Sequence, residues 1–142
     1  RVRHAYQVLN QAEQVYKHLI DMETSRRGYR ASNVRRFLQP YNAALQRIQP
    51  AVQSLKEMVA DDAPQLARAT AAQKRIDELL QFWADEQDVA PTGDRAALVG
   101  AMYQEKDQVD AIRTELDAII DTERRLLTKR QQANDESITM AT

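Results

Sequence analysis

Apolar residues recur at alternating spacings of three and four along most of the chain. Ala5, Val8, Ala12, Val15, Leu19 and Met22 form the first such seam, and Leu9, Tyr16 and Ile20 widen it on one side. A stripe of this width predicts an amphipathic bundle helix over about 1–28. Gly28 weakens its continuation, and Ser32 or Asn33 is placed to cap the next helix. A second seam, Leu38, Tyr41, Leu45, Ile48, Val52, Leu55 and Val59, predicts a helix over about 33–60, with Phe37, Ala44, Ala51 and Met58 as a neighbouring row. Pro40 and Pro50 interrupt this rhythm without shifting its phase, which predicts local kinks rather than helix ends. Asp61-Asp62-Ala63-Pro64 is an acidic cap with proline just inside the next helix. Leu66, Ala69, Gln73, Ile76, Leu80 and Trp83 mark that helix, over about 63–88, and Val89-Ala90-Pro91-Thr92-Gly93 is the strongest turn signal of the chain. The fourth seam runs Leu98, Met102, Glu105, Val109, Ile112, Leu116, Ile119, Glu123, Leu126, Arg130 and predicts a helix over about 94–138.

Four heptad-patterned helices on short connections predict an all-α, up-down-up-down four-helix bundle with long first and last helices. Phe37, Leu38, Leu45, Ile48, Leu55, Ile76, Leu80, Trp83, Val109, Ile112 and Leu116 are its expected core. Both chain ends then share one pole, and the turns at 28–33 and 89–93 share the other. The fourth helix outruns every partner, so its C-terminal part is expected to pack on a second copy of the chain or on helix 1 of a dimer mate. The pattern is cut in mid-stride at both ends. The chain therefore reads as a piece of a longer protein, a bundle standing on a membrane with transmembrane helices outside it.

Composition supports the helical reading. Three glycines and four prolines in 142 residues are few beside the roughly 12% of an average chain. Hydrophobic residues make up 43%, enough for one core, and charged residues 29%, too many for a membrane span. A net charge of −1 argues against a nucleic-acid partner. The absence of cysteine removes disulfides, thiolate metal sites and thiol nucleophiles.

Candidate chemistry is sparse. No Glu-x-x-His pair of the di-iron kind occurs, and the two histidines, His4 and His18, lie 14 residues apart on one helix. No metal, cofactor or catalytic residue is expected. The sharpest local sequence is Asp21-Met22-Glu23-Thr24-Ser25-Arg26-Arg27-Gly28-Tyr29. Glu23 follows Leu19 by four and turns toward the core side, and Arg27 follows Glu23 by four in the favourable order for an ion pair. Arg26, Arg27, Arg30, Arg35 and Arg36 place five cations in eleven residues. Arg26, Arg30, Arg35 and Arg36 are the candidate patch for an anion, an envelope component or an acidic partner; a solvated basic turn is the alternative. Glu105, Glu123 and Arg130 in the fourth seam are either devices that fix register or solvated positions beyond the bundle.

Glu23-Thr24-x-x-Arg27-Gly28-Tyr29, then Phe37-Leu38-Gln39-Pro40-Tyr41, then Asp62-Ala63-Pro64-Gln65-Leu66, and late in the chain Glu123-Arg124-Arg125-Leu126-Leu127 with Arg130, stand in the order seen in class-three CHASE domains. CHASE stands for Cyclases/Histidine kinases Associated Sensory Extracellular, and the resemblance spans His4 to about Arg130. Three positions depart from the family pattern: Ser25, where glycine is usual, Arg30, where an apolar residue is usual, and Asn33, where glycine is common. The resemblance implies a sensory module on the outer side of the cytoplasmic membrane, set between two transmembrane helices of a bacterial receptor with a histidine kinase or nucleotide cyclase output. It implies Glu23, Thr24, Arg27, Gly28, Tyr29, Pro40 and Tyr41 as a structural motif and carries over no ligand-binding residue. An unknown small ligand or envelope component and a homodimer mate are the expected partners. A ligand-free structural or dimerisation module and a cytoplasmic coiled-coil adaptor are the competing readings.

Overall fold

The computed structural model describes residues 2–86 and 94–141. Within them lie α1 (Val2–Ser32), a 3-10 turn (Arg35–Leu38), α2 (Gln39–Met58), α3 (Ala63–Glu86) and α4 (Arg95–Ala141). α1 packs against α2 and α4, and α3 against the same two, so α1 and α3 stand on a diagonal. Cross-helix bonds fix the directions. Gln11 reaches the Ala51 carbonyl, Gln49 reaches Asp77, Gln65 reaches Glu123, and Arg113 reaches Tyr16. A second contact in each pair, Ser25 with Tyr41, Gln53 with Gln73, Trp83 with Glu105 and Arg30 with Glu105, runs in the opposite sense along the two helices, so every neighbouring pair is antiparallel, as an up-down-up-down bundle requires. The predicted turn at 89–93, and the last two positions of the predicted third helix, lie outside the described residues.

The core is a continuous column. Ala5, Val8, Ala12, Val15, Leu19 and Met22 are all buried, as are Ile48, Val52 and Leu55 from α2 and Val109, Ile112, Leu116 and Ile119 from α4. Leu45 and Leu80, expected in the core, are only half-buried at its margin. Ile20 is exposed and does not widen the α1 stripe. In α3 the buried row is Gln65, Ala69, Ala72, Ile76, Leu79 and Trp83, and Leu66 and Gln73 are half-buried. This row and the predicted one share Ala69, Ile76 and Trp83 and split at the intervening steps.

The first helix does not stop at Gly28. α1 runs on to Ser32 and closes at Asn33, which takes φ 58° and donates its N–H to the Tyr29 carbonyl at 2.7 Å. That is a left-handed C-terminal cap, a role asparagine tolerates. Ser32 and Asn33 thus end α1 rather than open α2. Gly28 answers to a different constraint: a Cβ there would stand 3.2 Å from Phe37 Cδ1. The chain then takes the 3-10 turn before entering α2. With three residues per turn, that stretch breaks the heptad count, so Leu38 turns inward while Phe37 stays 50% exposed. Pro40 sits in the first turn of α2, where its missing N–H has no intrahelical partner to lose, so no kink is needed there. Pro50 lies inside α2, which continues through it. At the next break Asp62 caps α3, accepting from the Gln65 N–H at 3.3 Å.

α4 spans 47 residues, about 70 Å at 1.5 Å per residue. It extends past the end of α1 at one pole and past the start of α3 at the other. Leu98, Met102 and Tyr103 lie beyond the level at which α1 ends and are exposed. At the other pole Leu127 is half-buried, while Leu126, Arg130 and everything from 131 to 140 are exposed.

Candidate functional site: a buried charge cluster at one pole

The α1 seam steps from Met22 to Arg26, four residues on, so the arginine occupies the next inward position. Its side chain is 3% exposed and crosses the diagonal of the bundle to α3, where Nη2 donates to Glu86 Oε1 at 3.1 Å. The guanidinium carbon lies 5.0 Å from the ring centre of Tyr41 and 5.7 Å from that of Trp83. These two rings meet edge to face, 5.7 Å apart at 83°. An arginine flanked by two aromatic rings is stabilised without water. Burial pushes the Tyr41 hydroxyl above its ordinary pKa, and the charge of Arg26 opposes this.

One turn further, Arg30 is also turned in. Its Nη2 donates to Glu86 Oε1 at 2.6 Å and to Glu105 Oε1 at 3.0 Å, and its Nη1 reaches Glu105 Oε2 at 3.3 Å. Burial works to lower the Arg30 pKa; the hydrogen bonds to Glu105 and Glu86 outweigh it and hold the guanidinium above its ordinary value. Glu105 Oε1 also accepts from the Trp83 indole N–H at 2.8 Å. A carboxylate at a seam position of α4 is thereby met from α1 and from α3. Two cations against two anions, with side chains at most 10% exposed, satisfy the requirement that desolvated charges be paired.

Glu23 and Arg27 do form the predicted pair, at 3.1 Å, with Glu23 buried and Arg27 55% exposed. Arg27 Nε also stands 3.8 Å from Glu105 Oε2. The pair is the rim of the cluster rather than its centre. Of the four arginines expected to form a patch, Arg26 and Arg30 are inside and already paired, and Arg35 and Arg36 are exposed in the 3-10 turn. A single exposed anion patch of these four does not exist, because the helical phase after Met22 sends Arg26 and Arg30 inward. Among the other motif residues, Thr24 is exposed, Tyr29 is half-buried against the core, Pro40 is exposed and Tyr41 is buried.

Ser25 ties α1 to the start of α2. Its hydroxyl donates to the Phe37 carbonyl and accepts from the Tyr41 N–H at 3.0 Å. The first turn of α2 has no capping side chain of its own, and Ser25 supplies one from α1. Three residues thus act together at this pole: Ser25 holds the turn, Arg30 centres the charge cluster and Asn33 closes α1.

A second polar layer lies 18 residues along α4. Glu123 Oε2 accepts from Gln65 Nε2 at 2.7 Å, and Gln65 Oε1 accepts from Arg68 at 2.6 Å. Beside it an open groove of roughly 940 Å³ runs between Val2, Ala5, Val59, Leu127 and Arg130. Glu105 and Glu123 are thus buried, bonded register points, and Arg130 is solvated. Among the described residues no group of His, Asp and Glu is placed to hold a metal ion, and no helix is long and apolar enough to cross a membrane.

Spacing alone carried a signal for Arg26, the next inward step after Met22, and for Glu105, a seam position. Glu86 carried none, being a charged residue near the end of a helix. The first and last helices thus lie side by side and are tied together by buried charge. The family model of the CHASE3 domain matches residues 1–133, and the chain belongs to that family, one of sensory domains of receptors. No curated protein and no solved structure matches the chain.

Proposed function

We propose that this chain is the extracytoplasmic signal-input domain of a bacterial transmembrane receptor, a sensor histidine kinase or a nucleotide cyclase. It binds rather than catalyses, and it works as a homodimer in the full-length receptor. Its stimulus, a small ligand or an envelope component, biases one of two arrangements of α1 against α4, and these helices pass the difference to the membrane spans.

The observation that carries the reading is the coupling of α1 to α4. The two helices lie side by side and are joined at Arg30–Glu105 and at Arg113–Tyr16. At the pole of the Val59–Ala63 turn, Val2 of α1 and Leu126 and Leu127 of α4 line one groove, and α4 runs on from there. A change in how the two helices meet is delivered at that pole. Exposed Leu126 and the surface beyond it suit a dimer mate.

The test uses the full-length receptor. Single cysteines at each exposed position from Thr128 to Asn134 are expected to crosslink between copies with a helical periodicity. A stimulus that changes output should change which position crosslinks best. A flat profile, or one indifferent to every stimulus that moves the output, would favour a passive dimerisation module.

A further inference from the structure

The carboxylate of Glu86 is only half engaged. Arg26 Nη2 and Arg30 Nη2 both donate to Oε1, at 3.1 and 2.6 Å, while Oε2 is buried without a hydrogen-bond partner among the described residues. On the donor side, Arg26 Nε and Nη1 and Arg30 Nε are likewise buried and unpartnered among those residues. Two guanidinium forks and one carboxylate leave three donors and one acceptor unmet. A carboxylate free to choose its angle lies along a fork and takes two parallel bonds. Glu86 does not, because the backbone of the last described turn of α3 sets where its side chain begins.

Glu105 is different. Its Oε1 is held by Trp83 and Arg30, and its Oε2 faces Arg30 and Arg27. Both oxygens are engaged and the residue is 1% exposed. Of the two carboxylates in the cluster, Glu86 is the exchangeable one.

We infer that Arg26 and Arg30 form a receiving site for a small dicarboxylate, and that Glu86 occupies this site as a tethered competitor when no ligand is bound. One carboxylate of the ligand takes the place of Glu86 and meets the unmatched edge of Arg26. The second meets Arg27, which stands on the rim. The rings of Tyr41 and Trp83 flank Arg26 and keep water away, which strengthens a matched ion pair there. Displacing Glu86 frees the end of α3 from α1 and leaves the Arg30–Glu105 tie between α1 and α4 in place. The use of that release as a signal rests on the sensor reading; the binding itself does not.

The chain carries one tryptophan, Trp83, and it lies in the cluster, so its fluorescence reports on the site. The probe is sodium malonate, titrated against sodium chloride at matched ionic strength, with the thermal midpoint followed in parallel. The wild-type chain is expected to respond saturably to malonate and not to chloride. Glu86→Ala should bind malonate at least about tenfold more tightly, because the tethered competitor is gone. Glu86→Gln, which keeps the volume and one acceptor, should fall between them and carries the comparison if the alanine variant does not fold. Arg26→Met in the Glu86→Gln background should abolish the response. The absence of any malonate response beyond chloride in the wild type and in the Glu86 variants overturns the site, as does a response that survives Arg26→Met unchanged. Malonate binding in the isolated chain with no change in the output of the full receptor upholds the site and counts against the sensor reading.

Discussion

Arg30 on α1 and Glu105 on α4 form a two-pronged ion pair, 3.0 and 3.3 Å, with side chains 7% and 2% exposed. Breaking one side strands a buried charge, which costs about 3–5 kcal/mol. Arg30→Met and Glu105→Gln are each expected to destabilise strongly, and the double variant by clearly less than their sum. A double-mutant cycle from urea unfolding measures the coupling, and strict additivity would show that the pair does not act as one.

Leu116 is fully buried on α4, whereas Leu126, ten residues on, is exposed. Leu116→Ala should cost about 2–5 kcal/mol through lost burial and the cavity left behind. Leu126→Ala should stay within about 0.5 kcal/mol in the isolated chain. Equal losses at the two sites would mean that the end of α4 is covered.

Gly28 lies inside α1, where alanine is favoured by about 0.5–1 kcal/mol. The gain is opposed by Phe37, whose ring the new methyl would meet at 3.2 Å. Gly28→Ala is therefore expected to be near neutral or destabilising in the wild type and stabilising in a Phe37→Ala background. Thermal melts of the four chains decide the point, and the same sign in both backgrounds would remove Phe37 as the reason for the glycine.

His18 has its pKa lowered by burial, with Asp21 partly opposing. The folded-state value lies below that of the unfolded chain, so between the two the unfolded chain binds more protons. Stability then rises with pH through that window and is lost on acidification from about 6.5 downward. His18→Gln should flatten this part of the stability profile without changing it above pH 7.

Much of the bundle is legible in the spacing of apolar residues. The α1 row from Ala5 to Met22 is unbroken and every member is buried, because small and branched residues at one phase leave no competing face. α3 was ambiguous because two heptad rows pass through Ala69, Ile76 and Trp83. Hydrophobicity favours Leu66 over Gln65, and the distant Glu123 carboxylate and Ile119 carbonyl explain why Gln65 goes in. Phe37 stays outside the core for a local reason, the change of helical pitch between α1 and α2. The charge cluster leaves the faintest trace in the sequence. Arg26 and Arg30 are tolerable inside only because Glu86 and Glu105 meet them, 60 and 75 residues away in the chain, and helical spacing says nothing about partners so remote.

The two buried glutamates of α4, Glu105 and Glu123, are 18 residues apart, so about 27 Å of helix separates them. For a helix acting as a stiff rod, Glu123 and its Gln65 partner are a fulcrum. A sideways step of about 1 Å at Glu105 then emerges about 27 Å beyond Glu123, near Ala141, with nearly the same size and the opposite direction. Lengthening or shortening α4 beyond Glu123 changes the gain of that lever without touching the place where the motion begins.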